Sequence, residues 1–402
     1  MITVEQAEQL IHQHSLTLQV EMVPLAEAKG RILAESLVAD RDFPPFNRVT
    51  MDGIAIRLED EETRANRFEI VGIQAAGSSP LTLEYANQAI EVMTGAVLPN
   101  GADTVIPYES ITINGETDKT AVLNIPTEKG RNIHRQGSDR SAGATIVQVG
   151  TKIDAAEIGV AATVGKSSLK VVKPPSIAII STGDELVAID QTPLPHQIRS
   201  SNAATLNAAL QEWRIVPGIF HILDDLKGTT DKLTELLESN DILLISGGVS
   251  KGKFDYVPQA LHDLKVTQQF HRIRQRPGKP FWFGSHSRGT LVFAFPGNPV
   301  SSFMCFNRFL KPWLNQQFGI ANSAVDAYLS HQINFTPDLT YFAQVKLEQE
   351  NGKLVAHPIE GHGSGDLANL VDADGFMELP RGKNSFEAGE LYPVYPYRDL
   401  RT

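Results

Sequence analysis

The chain is 402 residues long, 42% hydrophobic and 21% charged, which are ordinary globular proportions for a soluble protein of more than one domain. Its 47 acidic against 36 basic residues give a formal net charge of −11; this argues against general affinity for nucleic acid or anionic lipid and requires any bound anion to meet a local basic patch. A single cysteine, Cys305, excludes an internal disulfide, and no basic leader or run of ~18 apolar residues occurs, so a cytoplasmic chain without membrane spans is expected.

Thr3 and Gln6 form a capping box ahead of Ala7, Leu10 and Ile11, predicting a helix over residues 4–13, and a second short helix is expected near Pro24. From Asp42 to Asp139 brief β-like runs such as Phe68–Val71 and Ala89–Val92 alternate with Gly, Pro and Asn turns, predicting a small β-rich insertion. Between Pro174 and Gly319 strand and helix alternate. Strands are expected at Ile177–Ser181, Ile215–Ile222, Ile242–Ile245 and Leu291–Phe295, with helices capped near Asn202, from Thr230, after Tyr256 and after Pro299. That alternation predicts a parallel sheet covered on both faces, with ligands beyond the carboxyl ends of its strands. Residues 320–402 read as short strands without helical period, a small β-barrel or sandwich. Cys305, within Phe303-Met304-Cys305-Phe306, is expected on a buried helix face.

Three loops follow predicted strands: Ser181-Thr182-Gly183-Asp184-Glu185, Ser246-Gly247-Gly248-Val249-Ser250 with Asp255 beyond it, and Pro296-Gly297-Asn298-Pro299-Val300-Ser301-Ser302. The glycines would let backbone N–H groups approach an anion, the serines can donate to phosphate oxygens, and Ser301-Ser302 fall at a helix start. Any one loop is ordinary turn chemistry; three on one sheet edge are specific. In an extended chain Arg272, Arg274 and Arg276 would share one face beside the Pro277-Gly278-Lys279 turn, a positive strip that reads either as an anion site or as a solvated edge strand. Asp52, Asp139, Glu185, Asp224 and Asp255 all lie beside turn residues. Loop aspartates commonly cap turns, but oxygen ligands without His or Cys clusters also suit Mg²⁺. The eleven histidines show no metal-ligand spacing, and no Ser-His-Asp, Walker or Gly-x-Gly-x-x-Gly signature occurs.

Taken together, blocks in order along nearly the whole chain resemble the molybdopterin molybdenumtransferase family, which includes the E domain of gephyrin. They are Pro44-Pro45-Phe46 through Met51-Asp52-Gly53, Met93-Thr94-Gly95-Ala96 through Gly101-Ala102-Asp103, Gly137 to Gly143, Ser181 to Leu186, Asp241 to Ser250, Pro277 to Phe281, and Pro296 to Pro299. The resemblance implies a four-domain α/β subunit. Its parts are a discontinuous linker domain (1–45 and 141–172), a β-rich insertion (46–140), a doubly wound α/β domain similar to the molybdopterin adenylyltransferase (173–319) and a C-terminal β-barrel (320–402). It implies a homodimer in which the insertion's acids meet those of the α/β domain across the two copies. It further implies insertion of molybdenum from molybdate into adenylylated molybdopterin with release of AMP, Mg²⁺ as cofactor, and exchange with the upstream adenylyltransferase and with molybdoenzyme apoproteins.

Positions matching the family's functional residues are Asp52, Asp139, Glu185, Asp224, Asp255, Arg272 and Arg276, with Glu185 and Asp255 as metal ligands. Thr182, Gly183, Ser246, Gly247, Gly248, Ser250, Lys279, Pro296, Gly297, Asn298, Pro299 and Ser301 are expected to hold the pterin substrate. The chain departs from the family pattern in carrying Arg272 and Arg276 for lysines, Asn47 for an acid and Ile54 for tyrosine. The competing readings are a non-catalytic pterin-binding scaffold and the adenylyltransferase reaction itself; the insertion and the C-terminal β segment argue against the latter.

Overall fold

The computed structural model describes residues 1–61, 66–250, 255–321, 324–361, 363 and 365–398. It divides into two compact units, one made of residues 1–34 and 170–402 and the other of residues 35–169.

In the first unit the capping box forms as expected: Thr3 Oγ1 accepts from the Gln6 N–H and Gln6 Oε1 from the Thr3 N–H, starting the helix Val4–His12. The second expected helix shrinks to a single 3-10 turn, Leu25–Glu27. Strands Gly218–Ile222, Ile177–Thr182, Ile242–Ser246 and Leu291–Phe295 lie side by side and parallel. Successive side chains in these strands point to opposite faces. Ile177, Ile179, Ile242 and Leu244 therefore pack with the helix Ser201–Leu210 and with Val4, Ala7 and Ile11. Ala178, Ile180, Leu243 and Ile245 pack with the helices Leu226–Ser239 and Val257–Asp263. This is the doubly wound α/β arrangement.

The sheet is not wholly parallel. Trp282–Ser285 and Thr267–His271 extend it antiparallel beyond Leu291–Phe295. Trp282–Ser285 joins Leu291 through a tight turn closed by the His286 N–H on the Thr290 carbonyl, too short for the crossover a parallel pair needs. Two element starts also move. The strand expected from Ile215 begins at Gly218, behind Arg214 in the left-handed region and Pro217. The helix expected from Thr230 begins at Leu226, because Asp225 caps it by accepting from the Gly228 N–H at 2.7 Å.

Cys305 is fully buried on the helix Pro299–Cys305, as expected, and burial pushes its thiol pKa up. That helix runs on through a π-turn, Phe306–Leu310, into Lys311–Gln317. The π-turn carries Arg308, which is 4% exposed and ion-paired with Glu8 at 3.0 Å and Glu378 at 2.7 Å. One guanidinium thus ties the N-terminal helix, the α/β layer and the C-terminal sheet.

The C-terminal segment resolves into a barrel. Thr340–Glu350 pairs with both Lys353–Pro358 and Gly375–Leu379, so the sheet closes through Val325–Leu329 and Leu391–Pro396. One strand is longer than expected, and a short helix, Asn369–Asp372, interrupts the series.

The second unit is built on a six-stranded mixed sheet in the order Thr104–Pro107, Gly53–Ile56, Gln88–Val92, Arg67–Gln74, Thr120–Leu123, Ile111–Asn114. It begins directly after Asp52. A Cβ on Gly53 would overlap the Ile106 carbonyl of the neighbouring strand, so only glycine follows that acid without forcing the strands apart. Among the described residues no helix is long and apolar enough to cross a membrane.

Candidate functional site

The parallel register aligns Ser181 with Ser246 and Ser246 with Phe295, so the three loops leave the sheet side by side at its carboxyl edge. They line a cavity of about 390 Å³ together with Glu185, Asp224 and Asp255. Asn202 bridges two of the loops, its Nδ2 donating to Ser246 Oγ and to the Gly297 carbonyl, both at 2.7 Å.

The glycines serve mainly close packing. Gly247 has φ +99°, and a Cβ there would stand 2.7 Å from Thr182 Oγ1; Gly248 has φ +68°, with Val257 at 2.7 Å. The expectation that the glycine N–H groups are free to cradle an anion is corrected at two positions. The Gly247 N–H donates to the Phe295 carbonyl at 3.1 Å and the Gly183 N–H to the Ile222 carbonyl at 3.3 Å. Hydroxyl donors also stand at the cavity. Thr182 Oγ1 is buried at the cavity wall without a hydrogen-bond partner, and Ser250 is exposed there.

Negative charge accumulates in this cavity. Burial first, then the charges of Asp184, Glu185 and Asp255, holds the Asp224 carboxyl above its ordinary range. The Asp184 carboxylate accepts the Asp224 backbone N–H at 3.0 Å. Among the described residues, the only grouping of three or more His, Cys or carboxylate ligands whose atoms all lie within 4.8 Å is Glu348, Glu350 and His357 in the barrel. Glu185, Asp224 and Asp255 of the cavity form no such grouping among the described residues.

A second cavity, of about 420 Å³, adjoins the first: Pro280, Pro296 and Asn298 line both. Arg276 and Lys279 line it, opposite Tyr341, Phe342 and Gln344 of the barrel. Arg276 is fixed there because Gln275–Arg276 pairs with Thr340–Tyr341. Gly278, at φ +86°, makes the turn between the two cations; a Cβ there would come within 2.6 Å of Cys305 Sγ and 2.8 Å of Met304 Cε. Tyr341 is pushed above the ordinary tyrosine range by burial, with the Arg276 charge opposing.

The arginine strip is only partly as expected. Ile273 and Gln275 are buried between the three arginines, which preserves the alternation. Arg272, however, has φ +75°, which breaks an extended strand, and it lines neither cavity. It stands beside His271, whose ring is held below the usual histidine range chiefly by burial and whose Nε2 donates to the Val249 carbonyl at 2.9 Å. Ser301 and Ser302 start the helix and are 3% and 1% exposed; Ser301 lines the second cavity, whereas Ser302 lines neither.

The remaining two acids belong to the second unit. Asp52 is exposed, and its Oδ1 accepts both the Thr94 N–H at 2.6 Å and the Thr94 hydroxyl at 2.7 Å. These bonds, the backbone one foremost, hold its carboxyl below the ordinary range. Asp139 Oδ1 meets His134 Nε2 at 2.8 Å, and Arg48 Nη2 meets the other ring nitrogen at 3.0 Å. The sequence does not single out Asn202, Thr94, His134 and Arg48, the side chains that hold these candidate residues in place. Thr94 stands in the Met93-Thr94-Gly95-Ala96 segment, whereas the pairing that makes Arg48 and His134 neighbours joins segments 86 residues apart.

The family model described as MoeA N-terminal region (domain I and II) matches residues 2–165, that of the probable molybdopterin binding domain residues 178–316, and that of the MoeA C-terminal region (domain IV) residues 326–397. A protein of Synechocystis sp. named molybdopterin molybdenumtransferase is 36% identical over 401 residues, 99% of this chain and 100% of its own. One of the same name from Staphylococcus epidermidis is 31% identical, covering 98% of this chain and 95% of its own. Two solved structures of the molybdopterin biosynthesis MoeA protein of Pyrococcus horikoshii, 29% and 28% identical, match with TM-scores of 0.85 and 0.81 over 99% and 98% of this chain and 99% and 100% of theirs.

Proposed function

This chain belongs to the molybdopterin molybdenumtransferase family, and we propose how its residues divide the work of moving molybdenum from molybdate into adenylylated molybdopterin with release of AMP. The observation that carries the proposal is a carboxylate-lined cavity and a cation-lined cavity sharing the wall Pro280, Pro296 and Asn298.

The carboxylate cavity takes the adenylylated pterin. Thr182, Ser246 and Ser250 supply hydroxyls for its phosphate oxygens, and Gly183, Gly247, Gly248 and Gly297 keep the loops thin enough for a ligand to lie close. Mg²⁺ fits here because Asp224 already carries the cost of its crowded neighbours, which a divalent cation offsets. Glu185 and Asp255 would hold it, with Asp224 beside them. Bound there, it supplies charge neutralisation at the pyrophosphate link. The cation cavity takes molybdate, whose charge Arg276 and Lys279 oppose through charge-assisted hydrogen bonds. Pro296 and Pro299 stiffen the shared wall, which holds the two ligands at a fixed separation. Arg272 acts from outside both cavities, through the positive charge it adds beside His271.

In the second unit Asp52 and Asp139 are the remaining functional acids, each with Oδ1 engaged and Oδ2 left to accept from a ligand. The working species is a homodimer, supplied by an adenylyltransferase and emptied by molybdoenzyme apoproteins. The finer division into a linker domain (1–45 and 141–172), an insertion (46–140), an α/β domain (173–319) and a barrel (320–402) is part of the same proposal.

Incubation with adenylylated molybdopterin, molybdate and Mg²⁺ tests the reading. AMP appears if it is correct, and nothing is released by a pterin-binding scaffold. Formation of adenylylated pterin from ATP would mark the upstream reaction instead.

A further inference from the structure

The strand pair Arg48–Val49 and Ile133–His134 sets Arg48 directly opposite His134. A guanidinium only donates hydrogen bonds, so its Nη2, 3.0 Å from His134 Nδ1, requires that nitrogen to accept. The ring proton then sits on Nε2, 2.8 Å from Asp139 Oδ1, and is donated to it. The acid's position is fixed from the backbone as well, its N–H donating to the Phe43 carbonyl at 2.9 Å. Asp139 Oδ1 also lies 3.4 Å from Ser138 Oγ, while Oδ2 makes no hydrogen bond among the described residues. Asp52 is built the same way, with Thr94 saturating one oxygen and leaving the other.

Asp52 and Asp139 are therefore each held by one oxygen and present the other. For Asp52 a single neighbour does this. For Asp139 it takes two residues in series, because histidine can donate from either nitrogen and something must select which.

We propose that Arg48 and His134 form a positioning relay in which Arg48 fixes the His134 tautomer and His134 orients Asp139, so that one carboxylate oxygen is presented to the reacting ligand. The relay rests on the reading of Asp139 as a functional acid. Neither Arg48 nor His134 touches the substrate; each acts through the next.

The test is a set of variants assayed for AMP release at saturating molybdate and Mg²⁺ while the adenylylated pterin concentration is varied. His134→Ala lowers kcat on the order of tenfold, since a loosely held group loses the alignment that makes it effective, and leaves KM within about twofold because substrate contacts are untouched. His134→Gln restores kcat to within about threefold, because its carboxamide can accept from Arg48 and donate to Asp139 at once. His134→Ala combined with Asp139→Ala is no slower than Asp139→Ala alone, as expected for residues acting in series. A readout independent of turnover is the ¹⁵N spectrum of the imidazoles, with His134 assigned by its loss in His134→Gln. The wild type shows Nε2 protonated and Nδ1 bare, and Arg48→Ala shifts the ring toward a mixture of tautomers.

Wild-type kcat in His134→Ala beside a disabled Asp139→Ala overturns the relay alone. Wild-type kcat in both variants removes Asp139 from the reaction and the relay with it. A His134 ring protonated on Nδ1 in the wild type contradicts the tautomer assignment directly, without any measurement of turnover.

Discussion

Replacing Arg276 with alanine is the most informative perturbation of the cation cavity. Arg276 and Lys279 flank the Gly278 turn and both line the cavity, so the substitution removes one of two cations while leaving the turn, the barrel wall and the carboxylate cavity in place. A charge-assisted hydrogen bond contributes about 1.5–3 kcal/mol. Arg276 is exposed, so solvent screens it and the lower end applies; about 1.5 kcal/mol corresponds to roughly a tenfold rise in the Kd for molybdate. Arg276→Lys keeps the charge and gives up only the planar fork, so its Kd stays within about threefold. Isothermal titration with molybdate at two ionic strengths measures both quantities, and the gap between wild type and Arg276→Ala should narrow at high salt. An unchanged Kd in Arg276→Ala and in the Arg276→Ala, Lys279→Ala double variant would refute the reasoning, because a cavity without either cation could not then be the oxyanion site.

Other outcomes follow from the same geometry. Glu185→Ala and Asp255→Ala each lower molybdenum insertion at least about tenfold with thermal melting little changed, since loop-end acids contribute little to packing; wild-type turnover in either folded variant removes that residue from the site. Asp224 has a raised carboxyl pKa, so its ionisation costs folded-state stability as pH rises through the unfolded and then the folded pKa, and nothing below both. Asp224→Asn therefore melts higher than the wild type at pH 8, loses that advantage as pH falls, and shows a smaller advantage in Mg²⁺; a pH-independent difference contradicts the cause assigned. Arg308→Ala strands Glu378, 13% exposed at its side chain, without its partner and should cost about 3–5 kcal/mol in denaturant unfolding; a loss below about 1 kcal/mol contradicts the role given to that guanidinium. Sedimentation equilibrium should return twice the chain mass of 44.0 kDa, and a monomer at assay concentrations contradicts the homodimer.

What could be read in the sequence was whatever local chemistry determines. The Thr3–Gln6 capping box is self-contained, and the apolar runs Ile177–Ser181, Ile242–Ile245 and Leu291–Phe295 have no alternative to a buried strand, so those elements stand where they were expected. The antiparallel edge strand Thr267–His271 was missed because only Phe270 of its five residues is buried, leaving no apolar run to notice. The helix start at Leu226 was misplaced because Gly228-Thr229-Thr230 are weak helix formers, and Asp225 outweighs them as a cap. Within the candidate site, the types of residue were legible but their uses were not. Gly247 looks like an anion cradle in the sequence, yet its N–H is taken by Phe295 from a strand nearly fifty residues on. Arg272 was placed by an extended-strand period that its own positive φ breaks. His134 carried no signal at all, since its partners come from a cross-strand pairing and a following turn.

The most direct test of the central claim is a single-turnover reaction in which AMP released and molybdenum retained on the pterin are counted together, by chromatography and by elemental analysis of the isolated product. The account predicts one molybdenum incorporated per AMP released, with both quantities falling together in Glu185→Ala and in Arg276→Ala. AMP released without molybdenum on the pterin, at the same rate with and without molybdate, would show that the two cavities do not act on one reaction.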